Sequence, residues 1–426
     1  MKYSVITLGC KVNSCESAAI AESFEREGFT RAAEGEAADV YVVNSCCVTS
    51  MAEKKVRQAV SRCKKENPEC VTVLCGCFPQ SYPEAARTVA GADIVTGNAE
   101  KSGICEMVKR YLANRVRIIS EKPMSRVFDE DSSGADTDRT RAFIKVEDGC
   151  DRFCSYCIIP FARGRVRSRR LEDISRQALL CVERGHKEIV LTGINLGCYG
   201  QEMGLTLGDA VKAAEVAGVE RIRLSSLEPE MITDSEIEKF KSSDKLCPHF
   251  HLALQSGCDE TLRRMNRRYD TEMYREVAEK LRSAFPDCAI TTDIMVGFAG
   301  ETDEEFQESL KFAEEMRFAK IHVFPYSIRK GTIAAEQSDQ VVPQIKSERA
   351  ARMIRLGEEL ERRFLDKQIG SVQTVLIEKR KSEQYSHGFS GSYVPVRIYG
   401  EKLERHSLVK VEITSAREGY CLGRII

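Results

Sequence analysis

Twice along the chain, short strand-like apolar runs alternate with longer helical patterns, and this rhythm limits the fold more than any other feature. In the first series, Tyr3–Leu8, Val40–Val43, Val71–Leu74 and Ile94–Thr96 read as strands. Helical patterns fall near Glu16–Glu27, Ala52–Lys65, Pro83–Ala90 and Glu100–Leu112. Such alternation predicts a parallel sheet covered by helices. The second series gives six strand candidates: Ala142–Val146, Glu188–Ile194, Arg221–Leu227, His249–Leu254, Ala289–Val296 and Lys320–Phe324. Six β/α units suit a partial barrel better than a closed barrel of eight strands.

These patterns divide the chain. An N-terminal parallel α/β domain is expected over 1–120 and a Ser- and Asp-rich linker over 121–140. A central partial (β/α)6 barrel follows over 141–367, ending in the charged helix Pro343–Lys367. The tail over 368–426 changes to short alternating runs, Val372–Ile377, Tyr393–Val396, Leu408–Ile413 and Tyr420–Ile426, which predict a small all-β barrel.

Net charge is -1 over 426 residues, so any nucleic-acid partner must be held by a local patch. Two patches stand out. Phe161–Arg170 carries five Arg in ten residues, and its position beside a cysteine loop points to RNA contact. From Ser371 onward there are nine Lys or Arg against six Asp or Glu. No apolar run is long enough to span a bilayer, so no membrane partner is expected. The opening MKYSVITLGC reads as a strand and lacks the features of a secretory leader. A cytoplasmic location is therefore expected, and disulfides are not.

The 18 cysteines then need another explanation. Cys150, Cys154 and Cys157 lie in DGCDRFCSYCIIP, directly after the first barrel strand. The loop at the carboxyl end of a barrel strand is where such folds place chemistry. Three thiolates can hold three irons of a 4Fe–4S cube and leave the fourth open. Structural zinc, the main rival, requires four closed ligands. Cys10, Cys46 and Cys77 each lie at or just after a strand end in the first domain, and all such ends point to one edge of a parallel sheet. They can converge there, or they can be buried structural thiols. Asn195, Ser226, Glu228, Gln255 and Asp293 end later barrel strands and can reach a ligand at the barrel mouth, although each could instead serve as a cap or turn former.

The C-x3-C-x2-C run, with Tyr156 before its last Cys, resembles the radical S-adenosylmethionine superfamily. Over nearly its full length the chain is similar to that superfamily's methylthiotransferases. Cys10 and Asn13 match the leading G-C-x-x-N, Cys46 matches N-[ST]-C, and Cys77 matches G-C-aromatic. The resemblance implies two 4Fe–4S clusters, one on each cysteine set, with S-adenosylmethionine on the open iron of the barrel cluster. It implies a 5′-deoxyadenosyl radical, a tRNA substrate, a reducing electron donor and a sulfur source. Tyr156, Asn195, Ser226, Glu228, Gln255 and Asp293 are the expected cofactor contacts. Cys15, Cys47 and Cys75 fall outside the pattern.

Leu8–Asn13, L-G-C-K-V-N, is similar to the class that acts on N6-threonylcarbamoyladenosine at tRNA position 37. The isopentenyladenosine class tends to have G-C-Q-M-N, and the ribosomal-protein class G-C-P-K-N. The tail resembles a TRAM domain, a small RNA-binding barrel; a barrel that merely packs on the core is its rival. The alternatives to the expected activity are methylthiolation of isopentenyladenosine, methylthiolation of a ribosomal-protein side chain, and a non-catalytic RNA-binding iron–sulfur sensor.

Overall fold

A computed structural model describes residues 1–128, 139–378 and 382–426. Most of the expected linker, residues 129–138, lies outside the described residues.

The first sheet has six parallel strands: β1 (Lys2–Thr7), β2 (Thr30–Arg31), β3 (Val40–Ser45), β4 (Val71–Gly76), β5 (Ile94–Thr96) and β6 (Ile118–Ser120). Their order is β2-β1-β3-β4-β5-β6. Strands β3 and β4 are buried at every residue, because helices cover both faces. The chain reverses direction across the sheet between β1 and β3. At such a switch point the crevice beyond the carboxyl ends binds ligands. The short strands β2 and β6 were not expected from the sequence.

The second series continues as β7 (Ala142–Lys145), β8 (Glu147–Asp148), β9 (Arg167–Ser168), β10 (Glu188–Thr192), β11 (Arg221–Leu224), β12 (Ser226–Leu227), β13 (His249–Leu252), β14 (Ala289–Val296) and β15 (Lys320–Pro325). The expected strand Arg221–Leu227 is broken at Ser225. Its first part pairs with β10 and its second with β13, so the parallel wall runs from β7 to β15 as two sheets. Strands β7 and β15 stand at its open edges, giving the partial barrel. Short β8 and β9 pair antiparallel and clamp the base of the cysteine loop.

The barrel's packed core lies outside its wall. Ile144, Ile189, Leu191, Ile222, Leu224, Phe250 and Ile290 point to the helices and are buried. Thr302 and Glu305 form a capping box on one of these helices, Asp303–Met316. Because side chains alternate along a strand, the intervening residues face inward. They include Arg223, His249, His251, Thr291 and His322, so the barrel interior is polar.

The last unit is a closed barrel of β16 (Val372–Ile377), β17 (Tyr385–Ser390), β18 (Pro395–Tyr399), β19 (Leu408–Arg417) and β20 (Tyr420–Ile425). Its core of Val375, Ile377, Val396, Ile398, Val411 and Ile413 also takes in Leu365 of the helix Pro343–Asp366. The loop after β17 docks on the larger barrel: Arg223 Nη1 donates to the Gly391 carbonyl at 2.8 Å.

Candidate active site

Cys10 follows β1, Cys46 follows β3 and Cys77 follows β4, so all three lie at the same edge of the sheet, beside the switch point. Glycines make two of these turns possible. Gly9 has φ +126° and Gly76 has φ +103°, and a Cβ on Gly76 would stand 2.6 Å from the Ser45 carbonyl. Asn13 Nδ2 ties the turn together by donating to the carbonyls of Leu8 at 2.9 Å and Ser45 at 3.0 Å. The three thiols act on one another electrostatically. Burial pushes Cys10 and Cys46 up. Cys77 goes the other way, to about 5, because it accepts a hydrogen bond from Cys47 and lies near Arg163 and Lys101. Asn98 Nδ2 also points at Cys77 Sγ, at 3.5 Å.

The second set sits on the loop between β8 and β9. Gly149, with φ +94°, lets Cys150 leave the strand, and a Cβ there would meet the Arg165 carbonyl at 2.0 Å. Cys150, Cys154 and Cys157 face one another electrostatically, and burial pushes Cys150 up to about 11 and Cys157 up to about 12. Thiols raised this way release their protons only to a strong Lewis acid, so metal binding here is coupled to proton release. Among the described residues, no three His, Cys, Asp or Glu side chains are grouped for a single metal ion.

The expected cofactor contacts divide. Asn195 Nδ2 lies 3.7 Å from Cys150 Sγ, and its backbone N–H donates to the buried Glu147 at 2.7 Å. Tyr156 and Glu228 meet through Arg267, which sequence reasoning missed. Arg267 Nη1 is 3.2 Å from Cys154 Sγ and 3.4 Å from Tyr156 Oη, and its Nη2 pairs with Glu228. Gln255 adopts φ +65° and bridges to Ile294. Ser226 is exposed on β12. Asp293 pairs with His251 at 3.3 Å, inside the barrel.

The five-arginine run is largely not a surface patch. Arg163, Arg167 and Arg169 are buried, and only Arg165 and Arg170 are exposed. Arg163 pairs with Glu16, Arg167 Nη2 pairs with Asp148 at 2.8 Å, and Arg169 Nε donates to the Lys145 carbonyl at 2.9 Å. Burial of a charge demands a partner, and here Glu16 reaches across from the first domain while Asp148 and Lys145 come from the barrel itself. The buried network holds four cations, Lys101, Lys145, Arg163 and Arg167, against two carboxylates, Glu16 and Asp148. The excess of positive charge lies beside Cys77. Thiolates carrying an anionic iron–sulfur cluster would balance it, so these residues fit the group.

Residues 2–97 match the model of uncharacterized protein family UPF0004, and residues 144–313 match the Radical SAM superfamily. The chain is 39% identical to the threonylcarbamoyladenosine tRNA methylthiotransferase MtaB of Bacillus subtilis, covering 99% of this chain and 95% of that one. The chain belongs to the radical SAM methylthiotransferase family. A second relative of the same name, from Thermotoga maritima, is 39% identical over 96% of this methylthiotransferase and 94% of its own length. The tRNA-2-methylthio-N(6)-dimethylallyladenosine synthase of Pelotomaculum thermopropionicum is 32% identical, over 99% and 97%. Among solved structures, the radical S-adenosylmethionine methyltransferase TsrM of Kitasatospora setae aligns with a TM-score of 0.58 at 12% identity, over 78% of this chain and 77% of that one. That likeness concerns the fold alone.

As a radical SAM enzyme, this methylthiotransferase uses S-adenosylmethionine and a 4Fe–4S cluster. Cys15 and Cys75 are buried beside the strand-end turns, and Cys47 lies against Cys77 with its Sγ 3.5 Å from Ser81 Oγ. No described helix is long and apolar enough to cross a membrane.

Proposed function

We propose that this enzyme inserts a methylthio group at carbon 2 of N6-threonylcarbamoyladenosine next to the anticodon of tRNA. One observation carries the reading: the two cysteine sets belong to one buried polar assembly. Asn98 Nδ2 touches Cys77 Sγ at 3.5 Å and donates to the carbonyl of Ala162, just past Cys157, at 2.8 Å. A transfer between two centres requires that they be held in fixed register.

In this reading Cys150, Cys154 and Cys157 hold the radical-forming cluster, and Cys10, Cys46 and Cys77 hold a second one. When bound, the clusters and S-adenosylmethionine supply the one-electron chemistry, hydrogen abstraction and sulfur transfer that no side chain can perform. The protein's own part is positional. Arg267 and Asn195 orient donors toward Cys154 and Cys150. Tyr156, Asn195, Ser226, Glu228, Gln255 and Asp293 form the proposed cofactor and substrate contacts around the barrel wall. The target base leaves its stack to enter between the two sets. A reducing electron donor and a sulfur source complete the reaction, and the cytoplasm, where tRNA is found, is the proposed location.

The substrate class follows the relatives with the highest identities quoted above, both named for threonylcarbamoyladenosine. The test is incubation of the reconstituted enzyme with tRNA bearing that base, with tRNA bearing isopentenyladenosine, and with ribosomal protein. Mass spectrometry should find the added methylthio group on the first. Its appearance only on one of the others would overturn the proposal. Absence of 5′-deoxyadenosine under reducing conditions would favour the sensor reading.

A further inference from the structure

The inward-facing residues of the barrel line a cavity of about 360 Å³. Its floor is the stacked pair Phe389 and Tyr393 from the C-terminal barrel, with ring centroids 4.7 Å apart. Lys11, the residue after Cys10, enters it from the first domain.

Most of the cavity's charges are paired. Glu188 Oε1 holds Arg141 Nε at 2.8 Å and Arg223 Nε at 2.7 Å. Lys320 pairs with Glu361 at 2.9 Å, and His251 with Asp293 at 3.3 Å. Lys11 stands exposed at the cavity's edge, with no hydrogen bond or ion pair among the described residues, and the charges acting on it most strongly are Arg223 and Arg141, with Asp293 opposing. A second observation is independent. His249 is 8% exposed, its Nε2 is 3.3 Å from Thr291 Oγ1, and its Nδ1 has no partner. An uncompensated cation and an orphaned buried nitrogen over an aromatic floor mark a site that awaits an anionic, hydrogen-bonding group.

We propose that this cavity receives the N6-substituent of the substrate, with the Lys11 ammonium on its carboxylate and His249 Nδ1 on its hydroxyl or amide. The proposal rests on the threonylcarbamoyladenosine reading and names the residues that enforce it. Carbon 2 and carbon 6 flank N1 of adenine and their exocyclic bonds diverge, so a base with carbon 2 toward Cys10 sends its N6-substituent in another direction. Lys11, next in the chain, stands where those directions part. The volume is at the small end of ligand pockets, right for a substituent and too small for a stretch of RNA. A neutral apolar substituent would forgo the Lys11 contact and leave the buried His249 Nδ1 without a partner, which gives the site its discrimination.

The test uses cluster-loaded enzyme and three anticodon stem–loop RNAs, carrying threonylcarbamoyladenosine, its methyl ester or plain adenosine. Equilibrium binding and kcat/KM are measured for each. The wild type should prefer the acid to the ester by about 10- to 100-fold, as a charge-assisted hydrogen bond implies. Lys11→Gln should erase that preference and Lys11→Arg should keep most of it. His249→Phe should weaken acid and ester alike, by about tenfold relative to plain adenosine, which keeps the test open if Lys11→Gln loses its iron. Equal wild-type treatment of acid and ester, or a preference that survives Lys11→Gln, would overturn the cavity assignment alone. A wild type that makes 5′-deoxyadenosine but never methylthiolates the acid RNA would overturn the substrate reading and the cavity with it.

Discussion

Arg163 donates from Nη2 to Asn13 Oδ1 at 2.7 Å, so the first motif of the chain and the segment after Cys157 share a buried hydrogen bond. The same guanidinium pairs with Glu16. Arg163 therefore joins the sheet that carries Cys10 to the barrel that carries Cys150, without itself being a ligand. Its planar fork can serve two acceptors at once, which an ammonium cannot do in the same geometry.

Arg163→Met should leave Glu16 with only Lys101 and Lys145, and Asn13 Oδ1 with only the Cys10 thiol, at 3.7 Å. Because Glu16 keeps two cations, the loss is that of charge-assisted hydrogen bonds, about 1.5–3 kcal/mol for each. The thermal midpoint should fall accordingly. Arg163→Lys should restore only part of the loss. A variant as stable as wild type would mean the two units hold together by other contacts.

Glu188 predicts an acid-sensitive joint between the barrels. Burial alone would raise its carboxyl, but Arg223 and Arg141 hold it at about 2, below the ordinary 4.5. A depressed carboxylate stabilises the fold above its unfolded value and loses that contribution as pH falls toward 2. The shift corresponds to about 3 kcal/mol. Chemical denaturation followed from pH 5 to pH 2 should show this loss, and Glu188→Gln should remove that part of the slope while destabilising the protein near neutrality. An unchanged acid limb in the variant would exclude this role.

Arg267 should matter to radical formation more than to folding. It joins Cys154, Tyr156 and Glu228, and Glu228 is already raised by burial. Arg267→Met removes the stronger of the two cations, Arg267 and Arg152, that oppose that rise. Formation of 5′-deoxyadenosine should slow by about 10- to 100-fold with iron content retained. Full activity in this variant would remove Arg267 from the site.

The placement of Cys10, Cys46 and Cys77 at one sheet edge was legible because strand ends could be located from apolar runs, whereas their choice over Cys15, Cys47 and Cys75 came from the resemblance alone. Arg267 was not legible: it lies far from Cys154 along the chain and belongs to no spacing pattern. The Phe161–Arg170 run was read as a surface because charge density says nothing about burial, and its partners Glu16 and Asp148 lie on other elements. Strand β17, Tyr385–Ser390, escaped notice because YSHGFS has too few apolar residues to show alternation. Its Gly388 is needed for close packing, since a Cβ there would stand 2.1 Å from the Leu376 carbonyl. The polar barrel interior was present in the sequence as alternation, in Arg223 between Ile222 and Leu224. The partial barrel turns that alternation into a cavity.

In the proposed mechanism the two cysteine sets divide the work, one making the radical and the other delivering sulfur. The most direct measurement is the product balance of Cys10→Ala after reconstitution, with Cys154→Ala beside it. The Cys10 variant should still release 5′-deoxyadenosine and should form no 2-methylthio base, whereas the Cys154 variant should form neither. A Cys10 variant that still methylthiolates tRNA would contradict the account.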